Sequence, residues 1–305
     1  MDKFAISTRK TVQKVLYGIS KLFVNFNKKI KVVRKSNTVY PMIGDKENNF
    51  QVCYPINIKD NNSLPVVFYF HGGGWMEYDK CYYHTFCKRV AKMGAVVCNV
   101  NYSLAPKSNM REIIYNCIEL IIKAKDYLEY NYSIDKNKIF LAGDSAGAHI
   151  SALIAGLASS GMLEKVYPEI KNEDLTISGT LLFYGVYDLE SVLTSEFPAI
   201  EFFIRNSMKQ DYLVKDKMKE FSPINYITSD FPKTFIASGE IDKLHESQSL
   251  VFCNKLIENG VDVQKCFFDK VSGMGRHGFV AFDDFKSNAL VRKEIEIYLK
   301  HCLED

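Results

Sequence analysis

Lys138-Ile139-Phe140-Leu141-Ala142-Gly143-Asp144-Ser145-Ala146-Gly147-Ala148-His149-Ile150-Ser151-Ala152-Leu153 passes from an apolar run, through a turn of small residues, into a helical pattern. The run over 139–141 does not alternate with polar residues, as expected of a strand covered on both faces in a mainly parallel sheet. Gly143 and Gly147 bracket a turn so sharp that a side chain at either would collide with backbone. The residue between them, Ser145, is pushed into a strained, exposed position.

The same grammar repeats outward from this point. Apolar runs at 64–70, 95–100, 180–183, 234–237 and 261–268 read as further buried strands. Helical patterns at 82–93, 110–130, 146–159 and 246–259 separate them, the last stopped by Gly260. Strands alternating with helices predict a doubly wound α/β sheet. Two short pieces, 38–43 and 50–54, are expected to open it as a hairpin across a polar turn. Residues 189–227 break the rhythm: the segment is rich in Phe, Met and Lys and lacks a strand, so it is expected to be a cap inserted in the 36–305 domain.

At 305 residues, with 47% hydrophobic and 25% charged residues, the chain has the composition of an ordinary globular protein. Its formal charge of +3 is too small to argue for nucleic acid, and no zinc-finger or RNA-binding signature is present. Residues 1–35 hold Lys3, Arg9, Lys10, Lys14, Lys21, Lys28, Lys29, Lys31, Arg34 and Lys35 against the single acid Asp2, so the remainder is net acidic. Val12, Val15, Leu16, Ile19, Leu22, Phe23 and Phe26 fall on one face of a helix there. A basic amphipathic segment of this kind either packs over its own domain as part of the cap or makes a weak contact with a membrane surface. Lys14 and Lys21 interrupt every apolar stretch before it reaches signal-peptide length, and no run is long enough to span a bilayer. The eight cysteines are scattered, several inside apolar runs, which fits a reduced, cytoplasmic setting. Cys81 and Cys87 lack a second pair at zinc-site spacing.

In open α/β sheets ligands bind beyond the carboxyl ends of the strands, and the chemically distinctive residues of this chain lie there. Ser145 stands in G-x-S-x-G between a strand and a helix whose first N–H groups are free to meet negative charge. His71-Gly72-Gly73-Gly74-Trp75 follows the run ending at Phe70, and its glycines allow the loop to aim N–H groups at one point, as an oxyanion hole requires. The lysine and hydroxyl of a phosphate-binding loop are absent. A serine hydroxyl needs a histidine to take its proton and a carboxylate to hold that histidine's tautomer. His149, His84 and His71 sit in helices or a tight loop and read as structural, His301 is in the tail, and His245 adjoins a candidate carboxylate. His277, in a glycine-rich loop after the last strand, is the best base. Asp242, beyond the run 234–237, is the best carboxylate, with Glu240 and Asp188 as rivals.

Taken together, HGGGW at 71–75, Asn101-Tyr102-Ser103-Leu104-Ala105-Pro106, GDSAG at 143–147, Tyr184-Gly185-Val186-Tyr187-Asp188, Ser222-Pro223, Ile241-Asp242-Lys243-Leu244 and HGF at 277–279 resemble, in order, the hormone-sensitive-lipase-like family of α/β-hydrolases over about residues 60–300. The resemblance implies an α/β-hydrolase fold: a mostly parallel, doubly wound eight-stranded sheet with a helical cap. It also implies Ser145 as nucleophile, His277 as base, Asp242 as its orienter, and the N–H groups of Gly73, Gly74 and Ala146 as the oxyanion hole. The sequence departs from the family where Ser103 replaces Arg, Lys107 replaces Glu, Lys243 replaces Pro and Ala148 replaces a second Gly. Its histidine loop is one residue longer, with Gly275-Arg276 in place of a single residue.

These readings converge on hydrolysis of a small-molecule ester, needing neither metal nor cofactor, and the family resemblance implies short acyl chains. Phe197, Phe202, Phe203 and Phe221 in the cap suggest either an apolar substrate pocket or the cap's own core. Two alternatives stand beside this expectation: an amidase or formamidase using the same three residues, and a non-catalytic small-molecule binder on the same scaffold.

Overall fold

The computed structural model describes residues 33–41, 46–56, 63–281 and 286–304. Among these, eight strands form one sheet: β1 (Val33–Lys35), β2 (Asn49–Pro55), β3 (Leu64–Phe70), β4 (Val96–Asn101), β5 (Ile134–Asp144), β6 (Gly179–Phe183), β7 (Lys233–Gly239) and β8 (Val263–Phe268). Their order is β1-β2-β4-β3-β5-β6-β7-β8. The pairings β1 to β2 and β2 to β4 are antiparallel, and all others are parallel. This is the doubly wound sheet expected from the alternation of runs.

The apolar runs are continuous because each strand feeds two cores. Val66, Phe68 and Phe70 of β3, Ile139 and Leu141 of β5 and Leu182 of β6 join one buried cluster, with α2 (Met110–Asn131) and α3 (Ala146–Ser159). The alternate residues Val67, Tyr69, Phe140, Ala142, Leu181 and Phe183 join the other, with α1 (His84–Lys92) and α8 (Lys286–Glu304). Side chains on a strand point alternately to opposite faces, so a strand between two helical layers needs apolar residues at every position. The helices follow the complementary rule: α8 covers the sheet with Val291, Ile295, Tyr298 and Leu299, a stripe at three- and four-residue spacing. Helix α3 lies at the centre and is buried along most of its length. At Gly156 it runs so close to the 3₁₀ turn Pro223–Tyr226 that a Cβ would meet the Tyr226 side chain.

Three local features differ from the expected pattern. The segment 38–43 is not a full strand: it contributes one bridge, Val39 to Phe50, and residues 42–45 lie outside the described residues. Pro41 has no N–H to extend a ladder. The partner of β2 is instead β1, which begins at Val33, inside the segment expected to be amphipathic helix. The rest of that segment, residues 1–32, lies outside the described residues, and so does any membrane contact it makes. The helix expected over 246–259 starts as a π-helical turn, His245–Leu250, before continuing as α7 (Val251–Glu258). The buried Gln248 in that turn is held by its own side chain. Its Oε1 accepts from the N–H groups of Tyr187 (2.8 Å) and Asp188 (2.9 Å), and its Nε2 donates to Ser191 Oγ (3.0 Å).

Between β6 and β7 there is no strand. Residues 189–227 form short helices: α5 (Ile200–Met208), α6 (Lys215–Glu220) and several 3₁₀ turns. One further short helix, α4 (Leu163–Val166), precedes β6. Among the described residues no helix is long and apolar enough to cross a membrane, and all eight cysteines are free.

Helix α2 carries the clearest local stop and start signals. Asn109 Oδ1 accepts from the Glu112 N–H (2.9 Å), while the Asn109 N–H donates to Glu112 Oε2 (2.8 Å), a reciprocal capping box. Asn109→Ala is therefore expected to lower the unfolding free energy by about 1 kcal/mol. The check is a urea titration in which the midpoint falls while the slope is unchanged.

Candidate active site

Strand β5 delivers its last residues to a turn in which Ser145 has φ 50° and ψ −116°, a conformation that a residue with a side chain rarely adopts. It is forced there by close packing. A Cβ on Gly147 would run into the Phe70 carbonyl oxygen, and one on Gly143 into the Gly147 carbonyl group. The Ser145 N–H donates to the Phe183 carbonyl (2.9 Å), tying the turn to the end of β6.

Two loops converge on Ser145. The loop after β8 brings His277, and Ser145 Oγ–H donates to His277 Nε2 (3.0 Å). The turn after β7 brings Asp242, and His277 Nδ1–H donates to Asp242 Oδ2 (2.8 Å). A carboxylate can only accept, so it fixes the proton on Nδ1 and leaves Nε2 free to receive one. The Asp242 side chain is 1% exposed and that of His277 26%, so the carboxylate is sealed while the imidazole reaches solvent. The other oxygen of Asp242 accepts the Leu244 N–H (3.0 Å). The lengthened histidine loop still delivers His277, because Gly273, Gly275 and Gly278 all have positive φ and Gly275 packs its Cα against that of Gly239.

The glycine loop follows β3. Gly73 and Gly74 have φ of 112° and 58°, which glycine adopts without strain. Among the described residues no acceptor takes the N–H groups of Gly73, Gly74 or Ala146, the last standing at the first position of α3. The loop is braced from behind. Trp75 Nε1–H donates to His149 Nδ1 (3.2 Å), and His149 Nε2–H donates to the Phe221 carbonyl (2.7 Å) directly after α6. His71 stacks on Tyr102 (4.4 Å between centroids), whose hydroxyl donates to the His71 carbonyl (2.8 Å).

The remaining sequence candidates are engaged elsewhere. Glu240 accepts the Lys270 N–H (2.9 Å), Asp188 accepts the Glu190 N–H (3.0 Å), and His84 pairs with Asn99 (3.2 Å). His245 hydrogen-bonds Ser238 (2.7 Å), and His301 meets Asp262 at the surface. The aromatics of residues 189–227 divide: Phe197 lies edge-on to the His277 ring (4.5 Å), Phe203 packs on Gly74 with Phe202 against it, and Phe221 is in the core. Among the described residues no three His, Cys, Asp or Glu side chains converge as a metal cage would.

The departures from the resemblance have local partners. Ser103 is buried, its Oγ accepting from Asn116 Nδ2 (3.1 Å) and its N–H donating to Asn48 (3.0 Å). Lys107 pairs with Glu47, and Lys243 with Glu196 of the cap segment; both pairs are exposed and contribute little to stability. The Ala148 methyl fills space left by Gly185.

One buried group went unnoticed in the sequence because it is the variable position of its motif. Asp144 accepts from the hydroxyls of Tyr69 and Tyr83 and from the Gly72 N–H, each at 2.9 Å. Burial pushes its carboxyl up to about 6 against the pull of these donors.

A doubly wound sheet bearing this serine turn, with a histidine and an aspartate brought in from the ends of later strands, defines the α/β-hydrolase class. Residues 67–280 match the family described as alpha/beta hydrolase fold, and the chain belongs to that family, in its hormone-sensitive-lipase-like branch. It is similar to esterase LipQ of Mycobacterium tuberculosis, 28% identical over 222 residues, covering 71% of this chain and 51% of the relative. It is also similar to kynurenine formamidase of Danio rerio, 31% identical over 132 residues, covering 43% and 40%. The chain spans about half the length of the curated relatives it matches. The crystal structure of esterase B from Lactobacillus rhamnosis superposes with a TM-score of 0.83 at 17% identity, covering 98% of this chain and 95% of that one, a likeness that speaks for the fold.

Burial holds His71 and His149 neutral, each lowered to about 4. Their contribution is intact above pH 6.5 and is lost as pH falls toward 4, because only the unfolded chain takes up the proton. Asp144, being raised, works in the opposite direction below about 6. His149→Gln, which retains a donor and an acceptor, is expected to flatten the acid loss of stability by about 3 kcal/mol between pH 7 and 4. Denaturant unfolding of both proteins across that range checks it.

Proposed function

We propose that the protein hydrolyses carboxylic esters with short acyl chains through an acyl-enzyme on Ser145. The observation that carries this reading is the hydrogen-bonded chain from Ser145 Oγ through His277 to the sealed carboxylate of Asp242. His277 Nε2 takes the serine proton as Oγ attacks the ester carbonyl, and the displaced electron pair moves onto the carbonyl oxygen. The N–H groups of Gly73, Gly74 and Ala146 receive that oxyanion. Collapse expels the alcohol, which leaves with the proton from His277. Water then attacks the acyl-enzyme, passes its proton to His277 and releases the acid, restoring the Ser145 hydroxyl.

The short-chain preference draws on the aromatic walls. Phe197 against His277 and Phe203 on Gly74 crowd both the base and the oxyanion loop, and residues 189–227 act as the cap that carries them. The similarity to a formamidase favours a second reading, hydrolysis of an N-formyl or N-acyl bond by the same residues.

Assays on p-nitrophenyl acetate, butyrate and octanoate, and on an N-formyl anilide, separate the two. Acetate or butyrate is expected to be the fastest. Ser145→Ala, His277→Ala and Asp242→Asn should each lose about 10⁴-fold or more while keeping the wild-type circular dichroism. A faster anilide supports the second reading, and full activity in Ser145→Ala overturns both.

A further inference from the structure

Asp144, immediately before Ser145, is 2% exposed, and among the described residues no Lys or Arg side chain bonds it. Its partners are neutral donors. One oxygen takes the Tyr69 hydroxyl and the Gly72 N–H, and the other takes the Tyr83 hydroxyl and, at 3.4 Å, the Tyr184 hydroxyl. Four donors suit an anion. They are one too many for the protonated acid, whose own O–H then needs an acceptor.

Three of the four donors lie in or against a working part of the site. Gly72 opens the glycine loop, and a Cβ there would strike the Asp144 carboxylate and carbonyl. Tyr83 stacks on His71 of the same loop (6.4 Å, 17°). Tyr184 lies edge-on to the His277 ring (4.8 Å), and its hydroxyl accepts the Val280 N–H (3.2 Å) just beyond the base.

We propose that Asp144 is a positioning residue that acts only as the anion: the ionised carboxylate holds the oxyanion loop and His277 in register with Ser145, and its protonation loosens both. This rests on the roles given to Ser145 and His277 above. The titratable groups facing Asp144 are Tyr69 on β3, Tyr78 and Tyr83 in the segment before α1, Cys87 on α1, Tyr102 after β4, Tyr184 after β6 and His277. Burial holds the tyrosines and the cysteine above their ordinary values, so they stay neutral through the range in which Asp144 titrates. Burial also favours the neutral acid of Asp144 itself, so its protonation as pH falls through about 6 adds a stabilising contribution, opposite in sign to that of His71 and His149, while leaving the site less ordered.

The test is the pH dependence of kcat and KM with p-nitrophenyl acetate, over the range in which circular dichroism shows the fold intact. For the wild type, the acid limb of log kcat is expected to steepen from a slope of 1 toward 2, because two groups must lose protons. Asp144→Asn should show a slope of 1, with kcat about 10- to 100-fold lower and KM within about 3-fold. Tyr83→Phe removes one donor without touching Ser145 or His277, and should move the second ionisation to higher pH, a shift that a merely structural role for Asp144 does not produce. A wild-type slope of 1 throughout, or an Asp144→Asn profile identical to wild type, overturns the inference. Ser145→Ala run alongside separates the two claims: inactive, it leaves any such failure with Asp144 alone; active, it overturns both.

Discussion

The site depends on one approach of backbone to backbone. In the parallel pairing of β3 with β5, Phe70 stands opposite Gly143, and the Phe70 carbonyl occupies the place where a side chain on Gly147 would be. Nothing but glycine fits there, so the chain between the two glycines must turn sharply and carry Ser145 at positive φ. The same approach sets the glycine loop, which begins one residue after Phe70, beside the serine. A strained residue of this kind costs roughly 1–3 kcal/mol. The burial of α3 and the bond from Ser145 N–H to Phe183 offset it.

Much of this was legible because it is local or periodic. A strand between two helical layers has to be apolar throughout, so β3 to β7 announce themselves, and the glycines of the serine turn report their own close packing. Chain order together with the motif resemblance pointed to Ser145, Asp242 and His277, which the structure brings within hydrogen-bonding distance of one another. Less legible were elements whose reasons lie far away in the chain. Strand β1 forms at Val33 because β2 offers an edge, and the π-helical turn forms because Gln248 has a task near Tyr187. The cap aromatics could not be sorted by composition: Phe197 and Phe203 reach the site, whereas Phe221 is core. Asp144 was hidden for the same reason, since its donors come from Tyr69, Tyr83 and Tyr184, whose neighbourhood exists only after folding.

Two buried carboxylates thus stand beside one serine. Asp242 faces an imidazole that can share charge with it, the arrangement the proposed acyl transfer uses. Asp144 accepts its hydrogen bonds from hydroxyls and an N–H, donors that favour its ionised state against the cost of burial. His149 adds a third constraint, joining Trp75 of the glycine loop to Phe221 through two hydrogen bonds among buried residues. The glycine loop is therefore held at Gly72 by Asp144 and at Trp75 by His149. That double grip suits a loop whose free N–H groups must stay aimed without partners of their own.

The central claim is that Ser145 is a nucleophile made reactive by its neighbours, and covalent capture tests it most directly. A p-nitrophenyl alkylphosphonate presents a tetrahedral phosphorus to the site. Attack by Oγ forms the O–P bond, expels p-nitrophenolate and leaves a stable phosphonyl ester. The account predicts one phosphonyl group per chain by intact mass, located by peptide mapping on Ser145, with p-nitrophenolate released in equal amount. No adduct, or an adduct on another residue such as Ser151, would contradict it.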